Sequence, residues 1–183
     1  NAGYAQPGPI ELIDDERVRR QFEVNVFGTL AMTRAALSRL REQSSPDRHG
    51  LIITMSSMLG LVSSPYQGIY AASKHALEGA FSALRMEVRA HDIDVVLIEP
   101  GWISTHFLRT AMAHAPAPWL EHKVYGPSLK AYFAMTNDAE TENPSGAAKI
   151  AASLAGTPQD VAAAVMRALE SKTPKARYPV TAM

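Results

Sequence analysis

Tyr70 and Lys74 stand four residues apart in "SSPYQGIYAASKHALEG", a spacing that brings two side chains to one face of a helix. A phenol has an ordinary pKa of about 10, and a neighbouring ammonium favours its phenolate form. Such a pair suits acid/base work on a hydroxyl or carbonyl oxygen. Taken alone the spacing is undistinguished. Ser57, thirteen positions before Tyr70, narrows the reading, because it follows the apolar run "LIITMS". Open α/β sheets hold ligands outside the carboxyl ends of their strands, and a hydroxyl there can hydrogen-bond the same oxygen and steady its developing charge. Pro100-Gly101 ends the next apolar run at the same rim. Asn25 adds an amide within a stretch otherwise built for packing; by itself it is as well explained by exposure or capping.

The elements that must position these residues follow from periodicity. Val18, Phe22, Val26, Leu30, Leu37 and Leu40 form one helical stripe over residues 14 to 41, acidic at its start and basic at its end. Residues 51 to 56 and 93 to 98 are apolar, β-branched runs of strands buried on both faces, as a parallel sheet requires. Between them, small residues at helical spacing predict a closely packed helix from about 69 to 90. Thr157, Pro158 and Asp160 form a capping box that opens another helix. A short strand at 176 to 180 carries Pro179 and therefore belongs at an edge. Residues 105 to 157 are mixed, and "TNDAETENPSG" reads as a mobile loop. Alternating helices and strands predict an α/β fold with right-handed crossovers.

Composition bounds the partners. The 183 residues suffice for one domain, 1–183, and no repeat divides them. Eighteen basic residues balance eighteen acidic ones, so no global field favours nucleic acid or an anionic membrane. There is no cysteine, which excludes disulfides and thiolate metal sites and fits a cytoplasmic location. No apolar run approaches the roughly 18 residues of a membrane span. His106, His114 and His122 match no helical zinc motif, and no metal is expected.

Five separated stretches, "NAG" at Asn1 to Gly3, "NVFG" at Asn25, "MSS" ending at Ser57, "YAASK" at Tyr70 and "PGWIST" at Pro100, resemble the motifs of the short-chain dehydrogenases/reductases in order and spacing. The resemblance implies a Rossmann-like, doubly wound parallel sheet and reversible hydride transfer between NAD or NADP and an alcohol or ketone. It implies Tyr70 as acid/base, Ser57 as the group that orients the carbonyl, and Asn25 as holder of a water in a proton relay. Lys74 would lower the tyrosine's pKa and hold the nicotinamide ribose. Asn1, Ala2, Gly3, Pro100, Gly101, Ile103 and Thr105 would line the cofactor cleft, with Trp102 toward the substrate. A homodimer or homotetramer through the helices carrying Asn25 and Tyr70 is also implied.

The family's glycine-rich pyrophosphate turn has no counterpart in the sequence. The resemblance therefore implies that a dinucleotide-binding half of on the order of 80 residues is missing before "NAG", and that this chain alone binds cofactor poorly. A truncated, non-catalytic interaction protein is the alternative of a different class, and related epimerases or dehydratases are the alternative among enzymes. Trp102, Phe107, Leu108, Met112, Trp119, Tyr125, Tyr132, Phe133 and Met135 suit an apolar cleft, which points to a lipophilic substrate. "ALEGAFSALRMEV" and "IEPGWIST" look most like the subgroup of hydroxysteroid and retinol dehydrogenases.

Overall fold

The computed structural model describes residues 2–139, 141 and 143–181. The two apolar runs form neighbouring strands: β1, Gly50–Met55, and β2, Ile93–Glu99, pair in parallel from Gly50 opposite Ile93 to Met55 opposite Ile98. β3, Arg177–Pro179, lies on the other side of β2, again in parallel. The order β1-β2-β3 makes β3 an edge strand among the described residues, where the missing N–H of Pro179 leaves no partner unserved.

Ahead of β1 run α1, Asp15–Phe22, a wide π-helical turn at Glu23–Gly28, and α2, Thr29–Gln43. Asp14 caps α1 by accepting from the Arg17 N–H at 2.9 Å. The expected single helix over 14 to 41 is thus corrected. The helical path continues but relaxes around Asn25, whose buried side chain is tied to the backbone of Tyr4. A wide turn accommodates such an inward-pulled residue without breaking the helix.

Between β1 and β2 lies α3, Gly68–Val88, followed by one 3-10 turn and Asp92 in the left-handed conformation at φ 53°. After β2 come α4, Phe107–Met112, α5, Ala117–Leu120, α6, Gly126–Ala139, and α7, Gly146–Ser153. The segment expected to be a mobile loop begins as helix, since Thr136 to Ala139 close α6. Beyond it, Asp138 accepts from both the N–H and the hydroxyl of Ser145, at 3.0 and 2.8 Å. The last helix, α8, Pro158–Glu170, starts with the expected capping box on Thr157 and Asp160.

The sheet is covered on both faces. Leu77, Phe81 and Val88 of α3 pack on Val95 and Leu97, joined by Leu30, Leu37 and Leu40 of α2. Ala164 and Ala168 of α8 pack on Val96 and Ile98 from the opposite side. The alternation of Val95 and Leu97 against Val96 and Ile98 is the period of two of a strand buried on both faces. A separate cluster of Ile13, Trp119 and Leu129 anchors the post-β2 segment to the start of α1. No helix among the described residues is long and apolar enough to cross a membrane.

Candidate active site

Ser57 follows the end of β1 and caps the short 3-10 turn Met58–Gly60, its Oγ accepting from the Leu59 N–H at 3.1 Å. Tyr70 and Lys74 occupy the first turns of α3, and Pro100-Gly101 leaves the end of β2. All five residues line one cavity of about 490 Å³ at the carboxyl rim of the strands. Trp102, Phe107, Leu108, Tyr132 and Met135 supply its apolar wall, and the Tyr70 and Phe107 rings stand 5.7 Å apart.

Burial decides the protonation behaviour of the pair. Tyr70 is 8% exposed, and desolvation pushes its phenol above the ordinary value, with the neighbouring Ser57 hydroxyl pulling it back. Lys74 does not supply the opposing pull. Its Nζ donates to the Met55 carbonyl at 2.8 Å and sits 5.7 Å from the centroid of the Tyr70 ring. Burial lowers the Lys74 pKa to about 8, against the charge of Glu78, which raises it.

Asn25 is 1% exposed and fully committed. Its Oδ1 accepts from the Tyr4 N–H at 3.1 Å, while its Nδ2 donates to the Tyr4 carbonyl at 3.0 Å and to Ser73 Oγ at 3.1 Å. The amide therefore fixes the chain after "NAG" rather than lining the cavity. Its backbone carbonyl accepts from the Thr29 hydroxyl at 2.9 Å. A Cβ built on Gly3 would lie 3.3 Å from Asn25 Oδ1 and 3.9 Å from Lys74 Nζ, so the three converge. Gly3 lines the cavity and Ala2 is exposed beside it. Asn1 lies outside the described residues.

The remaining expected cofactor positions also line the cavity: Ile103 and Thr105 join Pro100 and Gly101 there. The chain around Ile103 is pinned by a parallel bridge to Gly156, and the Gly156 N–H donates to the Trp102 carbonyl at 2.8 Å. A Cβ on Gly101 would collide with the Thr181 hydroxyl, so a larger residue at this corner would have to displace that side chain. Lys74 uses one donor on Met55, which leaves ammonium N–H groups for a diol. These features fit a nicotinamide ribose.

The apolar segment divides. Trp119 and Phe133 pack with Leu129 onto the core, and neither they nor Met112 and Tyr125 line the cavity. Sequence reasoning missed Gln67, which is 2% exposed and lines the cavity, its Nε2 donating to the Tyr132 hydroxyl at 2.9 Å. Its position three residues before Tyr70 was the available signal. The histidines stay apart, His114 edge-on to Tyr4 and His122 stacked on Tyr125. Among the described residues no three His, Asp or Glu side chains gather as a metal site.

A parallel sheet with helices on both faces, carrying serine, tyrosine and lysine at its carboxyl rim, defines a dinucleotide-type α/β architecture. The family model for short chain dehydrogenases matches residues 1–115, and the chain belongs to that family. It is 37% identical over 181 residues to the "Uncharacterized oxidoreductase YbbO" of Escherichia coli K12, covering 99% of this chain and 56% of that protein. Human "Retinol dehydrogenase 8" is 30% identical over 177 residues, 97% of this chain and 53% of the relative. A short chain dehydrogenase from Burkholderia cenocepacia, solved with NADP, superposes with a TM-score of 0.66 at 26% identity, covering 100% of this chain and 58% of that one. The chain thus spans about half the length of the curated relatives it matches.

Proposed function

We propose that the protein works as an oxidoreductase that uses NAD or NADP to interconvert a lipophilic alcohol and its ketone. The observation that carries this reading is the convergence of the Ser57, Tyr70 and Lys74 side chains on one apolar cavity. A substrate carbonyl oxygen there meets two hydroxyl donors. Ser57 orients the oxygen, and Tyr70 gives it a proton during reduction or takes the proton back during oxidation. Burial keeps the phenol protonated at neutral pH, the form that reduction requires. Ser57 and Lys74 then face the phenolate that remains. Lys74, Gly101, Ile103 and Thr105 would hold the nicotinamide end of the cofactor, which supplies the hydride when bound. Asn25 acts through the backbone of Tyr4, holding the turn against which Lys74 rests.

The cavity volume lies within the range of small-molecule sites, and its aromatic and methionine wall favours an apolar substrate body. Subunit pairing along α2 and α3 would cover Phe27, Met32 and Met86, which are 51%, 74% and 76% exposed.

A panel of lipophilic ketones tested with NADH and NADPH on the full-length protein decides the matter. Loss of reduced cofactor in step with alcohol formed is expected. Formation of an epimer with the cofactor returned unchanged, or no turnover with any ketone, would contradict the reading.

A further inference from the structure

A second group of polar side chains gathers behind the cavity. Glu78, one turn after Lys74 on α3, is 5% exposed, and Glu99, the last residue of β2, is 4% exposed. Arg177 of β3 reaches both. Its Nε donates to Glu78 Oε2 at 3.1 Å and lies 3.0 Å from Glu99 Oε1, while Nη2 donates to Ser82 Oγ at 2.9 Å. The Nε–H is directed at Glu78, and Glu99 Oε1 is left without a hydrogen bond among the described residues. Glu78 Oε1 and Ser56 Oγ are also buried without a partner among the described residues. At Gly60 a Cβ would stand 2.9 Å from Glu78 Cγ, 2.9 Å from Ser56 Oγ and 3.2 Å from the Lys74 carbonyl oxygen. No side chain separates these groups.

Both carboxylates adjoin a residue of the cavity: Glu78 follows Lys74 by one turn and Glu99 precedes Pro100, while Ser56, beside Ser57, itself lines the cavity. Two buried carboxylates around one half-exposed guanidinium carry a desolvation cost, so stability alone is a poor reason for the arrangement.

Resting on the oxidoreductase reading above, we propose that Glu78, Glu99 and Arg177 are positioning residues: Arg177 clamps both carboxylates, Glu78 thereby presents a fixed anion to Lys74, and the corners carrying Ser57 and Pro100 keep one register. The charge of Glu78 opposes the loss of the Lys74 proton that burial promotes. Glu99 responds to the same cluster, raised by burial and by Glu78 and lowered by Arg177. The titratable and charged groups around Lys74 are Tyr70 and Glu78 on its own helix, then Glu99 on β2 and Arg177 on β3. The wide turn contributes the uncharged amide of Asn25, and β1 the Met55 carbonyl.

Lysine Cε and Nζ resonances followed against pH test the proposal without turnover, with Lys74 assigned by its loss in Lys74→Arg. In the wild type Lys74 titrates at about 8. Glu78→Gln lowers that midpoint by about half a pH unit or more, and Glu78→Asp restores most of it. An unchanged midpoint in Glu78→Gln, or an equal fall in Glu78→Asp, overturns the proposal. Glu99→Gln leaves Glu78, the anion facing Lys74, in place, so the midpoint holds; a fall there also overturns it. With an active ketone in hand, the alkaline limb of the kcat profile moves with the Lys74 midpoint in Glu78→Gln while KM stays near its wild-type value. A limb that stays put overturns the positioning role. If no ketone is turned over, the functional reading fails, while the titration still judges the cluster.

Discussion

Two polar clusters flank the first half of α3. On the cavity side, Ser57, Tyr70 and Lys74 line a space that a substrate can enter, and their hydroxyl and ammonium groups retain hydrogen-bonding capacity. On the sheet side, the Glu78 and Glu99 side chains are closed in by protein, with one half-exposed guanidinium, that of Arg177, serving both. A group facing a cavity can leave donors for a ligand. One sealed behind it must find partners within the chain, and where donors fall short its protonation shifts, as for Glu99. The first arrangement suits chemistry and the second suits holding the first in place, so substitutions in the two should separate rate from stability.

Ser57→Ala is the largest expected break in that comparison. Removing the second donor to the substrate oxygen should lower kcat by about 10²–10³-fold, with only a small fall in melting temperature, since the protein loses the Leu59 cap and a long, 3.4 Å hydrogen bond to the Pro100 carbonyl. Arg177→Met should do the reverse in emphasis. It strips the partner from carboxylates whose side chains are 7% and 3% exposed, and calorimetry should read a loss of about 2 kcal/mol, below a fully buried pair because Arg177 is half exposed. Glu99→Gln is the smallest. A carboxyl raised above its unfolded value of 4.5 keeps its proton longer when folded, so stability falls as pH rises from about that value through the folded one. The glutamine lacks this loss, so the variant should gain stability relative to wild type at neutral pH, with the gain vanishing in acid. An equal effect at both pH values would contradict the shared-charge account.

Much of the cavity side was legible in the sequence because its signals are local. Four residues of helix spacing join Tyr70 to Lys74, and each corner residue follows an apolar run that can only be a buried strand. The capping box at Thr157 is likewise contained in four residues. The sealed side was not legible. Arg177 meets Glu78 across ninety-nine positions, and an isolated glutamate at the end of "IDVVLIEP" reads as a solvated strand end. The wide turn at Asn25 was hidden too, because its cause is a bond to Tyr4, twenty-one residues earlier. The segment after Trp102 was divided between cavity wall and core by packing that no periodicity records.

The most direct measurement is the turnover of Tyr70→Phe beside its nicotinamide affinity, with a ketone that the wild type reduces. Loss of the proton donor alone predicts a fall in kcat of about 10²–10⁴-fold with cofactor binding little changed. Turnover retained within a few-fold of wild type would contradict the assignment of Tyr70 as the acid/base group.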